Sequence, residues 1–457
     1  MTELPKGWVE SSVDEVGDIS SGFGFPDRFQ GNATGELPFA KVRDISQAYQ
    51  RNGGTLSSAG NYVSRADLPA LKARTVPAGS VAFAKIGEAL KLNRRVLLDV
   101  EAVLDNNCMA VTPHQRLVES KFLYRFLTTL DFAPFSVATT VPSIRKGDVG
   151  SIRLPLPPLA EQKRIVAKLD ALNAKSARAR TELARIETLV SRYKQAVLSK
   201  AFSGELTREW RKVAATIWPW RLEFWRDCGE TLNGRAFPSD EYCESGVRLL
   251  RPGNLAESGV VFWSSKNSRF LPNNYAVKFP KHFVKGEAIL INLTAQSLED
   301  QFLARACLSS ASDEFMLNQR IGLFRPRNMI PKFCLFALKS PRFRSFVDNG
   351  MNSGSLIQHV HTKQLEQYKF DIPDIEEQHE IVRRIESAFA RIDRLAKEAK
   401  RALALVGRLD EAILAKAFRG ELVPQDENDE PAEHLLARIR AERESAPKGR
   451  RGRGAKA

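Results

Sequence analysis

Lys85-Ile-Gly-Glu-Ala-Leu-Lys-Leu-Asn-Arg-Arg95 is the densest polar and basic stretch of the first 150 residues, setting Lys85, Lys91, Arg94 and Arg95 against Glu88. Ammonium and guanidinium groups neutralise phosphates, a guanidinium also fits the acceptor edge of guanine, and a carboxamide such as that of Asn93 fits adenine. The chemistry on offer is contact with a nucleic acid; a solvated loop is the plainer alternative. A later stretch, Asn292 to Gln301, is rich in amides instead, with Asn292, Gln296 and Gln301. Asn106-Asn107 and Asn318-Gln319-Arg320 could read base edges or simply close turns. Residues 139–146, with Ser143, Arg145 and Lys146, align with residues 355–362, with Gln358 and His359. His359 and His361 alternate without acidic or cysteine company, so strand or loop positions fit them better than a metal site.

Catalytic patterns are missing. The five cysteines (Cys108, Cys228, Cys243, Cys307, Cys334) form no CxxC pair, which speaks against a zinc site or a disulfide framework and for a reducing cytoplasm. There is no GxxxxGK[ST] loop to cradle phosphates, and Leu156-Pro-Pro-Leu159 is not the Pro-Pro tetrad of amino-methyltransferases. Glu398-Ala-Lys400 echoes a nuclease motif but falls inside a helical repeat. Glu161-Gln162 and Glu377-Gln378 open long helices, which suits capping or docking onto another subunit better than acid–base work. Neither a signal peptide nor an apolar run of the ~20 residues that span a bilayer is present, so no membrane is expected. Enzyme activity in this chain is therefore not expected, and neither is a bound cofactor or metal.

The elements that would position these residues are written twice. Leu159-Ala-Glu-Gln-Lys-Arg-Ile-Val166 reappears as Ile375-Glu-Glu-Gln-His-Glu-Ile-Val382, and Ala196–Leu206 reappears as Ala412–Leu422, both 216 positions on. The offset is the same at both ends, so nothing is inserted between them. In the first copy Ile165, Leu169, Leu172, Ser176, Ala179, Leu183, Ile186, Val190, Tyr193 and Val197 step alternately by four and three. The second copy keeps this seam from Ile381 through Leu395 and Leu409 to Ile413. Such a heptad seam belongs to paired helices. Prolines precede both starts, a glutamate occupies each first turn, where the helix dipole favours anions, and Gly204 and Gly420 mark the stops.

A weaker repeat heads each intervening segment: Trp8, Gly17, Gly22, Phe25 and Pro26 match Trp220, Gly229, Gly234, Phe237 and Pro238, 212 positions on. Phe39-Ala-Lys-Val-Arg-Asp-Ile45 likewise resembles Leu249-Leu-Arg-Pro-Gly-Asn-Leu255. Short β-branched runs (Val81–Lys85, Ala288–Asn292) and short helical stretches (Ser120–Thr129, Pro331–Leu338) make each segment an α+β domain. Five parts follow: a domain at 1–155, a helix at 156–206, a second domain at 207–371, a second helix at 372–424, and a tail at 425–457. The tail begins acidic, offers a short helix and ends basic and disordered. If the second helix pairs with the first it must run back, giving an antiparallel coil with a pseudo-two-fold axis.

The net charge of +15 is uneven. Residues 1–150 hold 17 Lys and Arg against 16 Asp and Glu, residues 151–214 hold 14 against 6, residues 215–370 hold 20 against 14, and residues 371–457 hold 18 of each. A sequence-blind basic coat would be more uniform. The basic face of the first helix (Lys163, Arg164, Lys168, Lys175, Arg178, Arg180, Arg185) could lie near a polyanion or be an ordinary solvated face.

Two variable domains alternating with two helices that open on Glu-Gln-x-x-Ile-Val and close on Lys-Ala-Phe-x-Gly-Glu-Leu resemble the type I restriction–modification specificity subunits. The resemblance runs to about Leu436. It implies that each domain is a target-recognition domain reading one half of a split, asymmetric site in double-stranded DNA. It also implies that the helices set the spacing of the half-sites and carry two modification subunits, which use S-adenosylmethionine, and that restriction subunits can join. A coiled-coil assembly scaffold without sequence preference is the competing expectation.

Overall fold

In the computed structural model, residues 4–135, 142–214, 219–296, 302–350 and 358–445 are described. Gln301, parts of the 139–146 and 355–362 stretches, and the basic end of the tail lie outside them. The chain forms two compact units, Met1–Thr181 with Leu403–Ala457, and Glu182–Ala402. Each unit holds one globular domain, half of one long helix and the opposite half of the other.

The first domain is built on a five-stranded sheet ordered Gly17–Ser21, Cys108–Pro113, Val81–Ala84, Arg95–Leu98, Thr55–Leu56. Alternation along its central strands decides what they cover. Val81, Phe83, Met109 and Val111 point into a core with the helix Ser120–Thr129, while Ala82, Cys108 and Ala110 point to the other face, against Ile45 and Ala48 of the helix Val42–Arg51. Both faces are covered, so these strands read as unbroken apolar runs. A smaller sheet places Leu37–Ala40 parallel to Val103–Leu104 and antiparallel to Tyr62–Val63.

In the second domain the strands Gly229–Asn233, Ile321–Pro326, Ile289–Asn292 and Ala306–Leu308 form one sheet, and Phe270–Leu271, Val247–Leu250, Glu314–Leu317 and Phe283–Lys285 another. The same division recurs: Ile289, Ile291 and Phe324 face the core beneath the helix Pro331–Leu338, and Leu290 and Leu323 face the opposite cluster. The expected short helices thus stand at their expected residues.

The long helices span Leu159–Phe202 and Ile375–Phe418, 44 residues each. Gly204 and Gly420 follow them at φ 76° and 74°, a left-handed conformation that glycine adopts without strain. Within each unit the helix halves run antiparallel. In the first, Ile165, Val166 and Leu169 share a core with Ile413, Leu414, Ala417 and Phe418, and Ser176 donates to Asp410 at 2.6 Å. In the second, Lys194 pairs with Asp393 at 2.5 Å, and Arg384 donates to the Leu206 carbonyl at 2.8 Å.

The heptad seam needs correction in three places. Tyr193, Leu395 and Leu409 are 59%, 61% and 55% exposed. At the equivalent positions 193 and 409 the next residue, Lys194 or Asp410, turns to the partner helix and makes the ion pairs at the contact. An α-helix drifts about 20° per heptad against a strict 3.5-residue repeat, so over 44 residues the contact steps ahead by one position.

Candidate nucleic-acid interface

Backbone hydrogen bonds bring the separated polar segments together, in the same way in both domains. In the first, the Lys85 N–H donates to the Asn107 carbonyl at 2.9 Å and the Ile144 N–H donates to the Lys85 carbonyl at 3.0 Å. In the second, the Leu293 N–H donates to the Arg320 carbonyl at 2.9 Å and the Val360 N–H donates to the Leu293 carbonyl at 3.0 Å. A bridge between Ile86 and Ser143 corresponds to the paired strands Thr294–Ala295 and Gln358–His359. Three candidate stretches far apart in sequence thus meet at one edge of each domain.

The loop beneath this edge is held by the repeated glycines. Gly22 donates to the Cys108 carbonyl and Gly234 to the Ile321 carbonyl, at 3.0 and 3.1 Å. A β-carbon would sit 2.0 Å from the Asp105 carbonyl oxygen at Gly22 and 2.0 Å from that of Asn318 at Gly234. No other residue fits that approach.

Side chains at the edge differ between the domains. In the first, Lys85, Arg94 and Ser143 are half-buried and Asn106, Arg145 and Lys146 exposed; Asn107 is half-buried, its N–H held by Asp105 at 2.7 Å. Lys91 is exposed but pairs with Glu88 at 2.8 Å. In the second, Gln296, Gln319, Arg320 and His359 are exposed and Gln358 is half-buried.

Several expected contact residues are structural instead. Arg95 is fully buried, lies 4.0 Å over the Phe132 ring and donates to the carbonyls of Asn93 and Leu130. Burial lowers its pKa to about 10. Asn93 adopts a left-handed conformation at φ 50°, accepts from the Phe132 N–H at 2.9 Å and donates to Asp131. Asn292 is fully buried and donates to the carbonyls of Thr294 and Phe302 at 2.7 and 2.9 Å. Asn318, 8% exposed, accepts the Arg320 N–H at 3.0 Å. These four shape the edge from behind, with their side chains turned to backbone groups of the domain itself.

The Glu-Gln pairs are also corrected. Glu161, Gln162, Glu377 and Gln378 are at most 2% exposed, so a partner subunit cannot reach their side chains. Gln162 accepts from the Glu119 N–H at 2.8 Å and donates to the carbonyls of Leu117 and Pro157 at 3.0 and 2.9 Å. Gln378 accepts from the Ile330 N–H at 2.9 Å and donates to the carbonyls of Asn328 and Pro373 at 3.3 and 3.0 Å. Trp8 donates to Glu161 and Trp220 to Glu377, each at 3.0 Å. Each pair clamps its own domain to its own helix. The environments differ in one respect: Thr207 and Arg211 also donate to Glu377, whereas burial pushes the Glu161 carboxyl above its usual range, with the Trp8 bond opposing.

Sequence reasoning missed the clamp partners and two cations, Lys41 and Arg251, beside the edge. The matched stretches Phe39–Ile45 and Leu249–Leu255 carried the signal, since they place both cations at one position of the repeat. Burial pushes the Cys228 and Cys307 thiols up to about 12, which disfavours the thiolate. Among the described residues no helix is long and apolar enough to cross a membrane.

Comparison with known proteins agrees with this architecture. The family model described as type I restriction modification DNA specificity domain matches residues 5–188 and 223–403. The specificity subunit of the type I restriction enzyme EcoKI from Escherichia coli strain K12 is 27% identical over 466 residues, covering 96% of each chain. That of EcoBI from Escherichia coli is 25% identical over 475 residues, covering 97% of this chain and 94% of the relative. Among solved structures, a chain from work on complex assembly and conformational transition of the type I R-M system superimposes with a TM-score of 0.67 at 20% identity, covering 92% of this chain and 100% of that one. The HsdS subunit from Thermoanaerobacter tengcongensis gives 0.60 at 20% identity, covering 92% and 98%.

Proposed function

Because the chain belongs to the type I restriction modification DNA specificity domain family, we propose that it is the specificity subunit of a restriction–modification complex and reads a split, asymmetric site in double-stranded DNA. The observation that carries this reading is the duplicated edge: one backbone ladder in both domains, dressed with Lys85, Asn106, Asn107 and Arg145 in one and Gln296, Gln319, Arg320 and His359 in the other. Identical readers would call for a palindrome, by the symmetry that links DNA-binding dimers to their operators. Readers that share a frame and differ in side chains call for two different half-sites.

The chain does no chemistry itself in this reading. Two modification subunits supply S-adenosylmethionine and methylate adenine, restriction subunits join that core, and the complex works in the cytoplasm. The antiparallel helices set the distance between half-sites, and the Glu-Gln clamps keep that distance from varying where each domain meets its rod. Competition binding tests the reading: the assembled complex should hold a duplex carrying its site against excess scrambled duplex. Equal competition by any sequence would instead support a coiled-coil scaffold.

A further inference from the structure

Lys41 and Arg251 occupy one position in the duplicated frame. Each follows a strand paired in parallel with the strand that leads into the candidate base-reading turn, Phe39 and Ala40 beside Val103 and Leu104, Leu249 and Leu250 beside Met316 and Leu317. The turn is tied back to each: Asp105 donates to the Ala40 carbonyl at 2.9 Å, and Asn318 to the Leu250 carbonyl at 3.3 Å. Both backbones are extended, at φ −98°, ψ 171° and φ −126°, ψ 163°. Both N–H groups are held three residues on, by Asp44 at 2.8 Å and Asn254 at 2.9 Å. The side chains therefore leave the sheet at matching places.

Their surroundings match too. The Lys41 ammonium lies 4.9 Å from the Phe25 ring centroid and the Arg251 guanidinium 5.9 Å from that of Tyr242, rings that fix a cation without cancelling its charge. Lys41 also donates to the Gln30 amide oxygen at 2.8 Å. Among the described residues neither cation forms an ion pair. Two half-buried, unneutralised cations thus stand beside the two candidate reading turns.

Resting on the proposed DNA reading, we propose that Lys41 and Arg251 anchor the DNA backbone, one phosphate contact per half-site, and hold each domain in register while the neighbouring turn reads bases. The chemistry of the pair separates this role from base reading. The planar guanidinium fork fits the guanine edge best, so exchange for lysine weakens a bidentate contact there, whereas a phosphate accepts either cation. The frame keeps the charge and lets its shape vary. The turns beside it, Asn106-Asn107 and Gln319-Arg320, change in chemistry between the domains, as residues that specify sequence should.

The test uses the full chain assembled with its modification subunits, titrated with duplexes carrying the recognised site and with scrambled duplexes at several salt concentrations. Lys41→Ala and Arg251→Ala should each weaken binding to both duplexes by the same factor, on the order of tenfold. Each should flatten the log–log salt dependence by about 0.9, while the methylated motif stays the same. Lys41→Arg and Arg251→Lys should keep affinity and motif. Unchanged affinity and slope in both Ala variants would overturn the proposal, as would a changed motif in Arg251→Lys, which would make that residue a base reader. A wild-type complex without sequence preference would sink the specificity reading instead, and the slope effect would still be measurable on any duplex.

Discussion

The junction between domain and helix and the outer edge of the domain follow different rules. At the junction the two units share one set of bonds, to which the second adds those from Thr207 and Arg211 to Glu377: glutamine to two carbonyls and one N–H, tryptophan to glutamate, and Lys121 to Asp170 at 3.0 Å where the other unit has Lys332 to Glu386 at 2.7 Å. At the edge they share the backbone ladder, but Lys85 of the first corresponds to Leu293 of the second, and Ser143 to His359. What must stay constant is how each reader is held; what must differ is what it presents. In the proposed reading, this division would let one half-site change while the other half and the spacing persist.

Exchanging residues 1–155 for the matching domain of a relative should break the comparison most visibly. One half of the methylated motif should change completely and the other remain; a change in both halves would mean that the domains read jointly. Next in size is the clamp. Gln162→Leu strands two buried carbonyls and an N–H, and should cost about 3 kcal/mol in denaturant unfolding of the full chain. Gln378→Leu should cost a similar amount if the junctions are equivalent, and a loss under about 1 kcal/mol in either would show that the clamp does not hold its domain. The smallest effect sharpens the edge itself. Lys85→Ala with Lys146→Ala should flatten the salt dependence of binding by up to about 1.8, or 0.9 per lost phosphate contact. An unaltered slope would mean that these cations only meet solvent.

The duplicated plan was readable in the sequence because it is periodic. A gapless offset and a four–three alternation over forty residues leave little else for the helices to be, and the glycine repeats Gly22 and Gly234 have one steric cause. Arg95 was not readable as a core residue. Within a run of cations nothing marks the one whose guanidinium lies over Phe132, a ring 37 positions on. Gln162 and Gln378 were recognisable as repeated but not as clamps, since their partners are backbone groups, which side-chain patterns do not display. The slip at Tyr193 and Leu409 escaped for a related reason. A perfect seven-residue pattern says which residues can face the partner helix, and the accumulated drift of a 3.6-residue helix decides which ones do.

The most direct measurement is the methylation map of the host genome with the wild-type chain, without it, and with both long helices shortened by one heptad. The proposed reading, two half-sites spaced by the helices, predicts a bipartite asymmetric motif that vanishes without the chain. Removing about 10 Å of helix should bring its half-sites closer by roughly three base pairs at 3.4 Å each, with the bases of each half unchanged. A map that does not respond to the chain, or a motif whose gap ignores the length of the helices, would contradict this account.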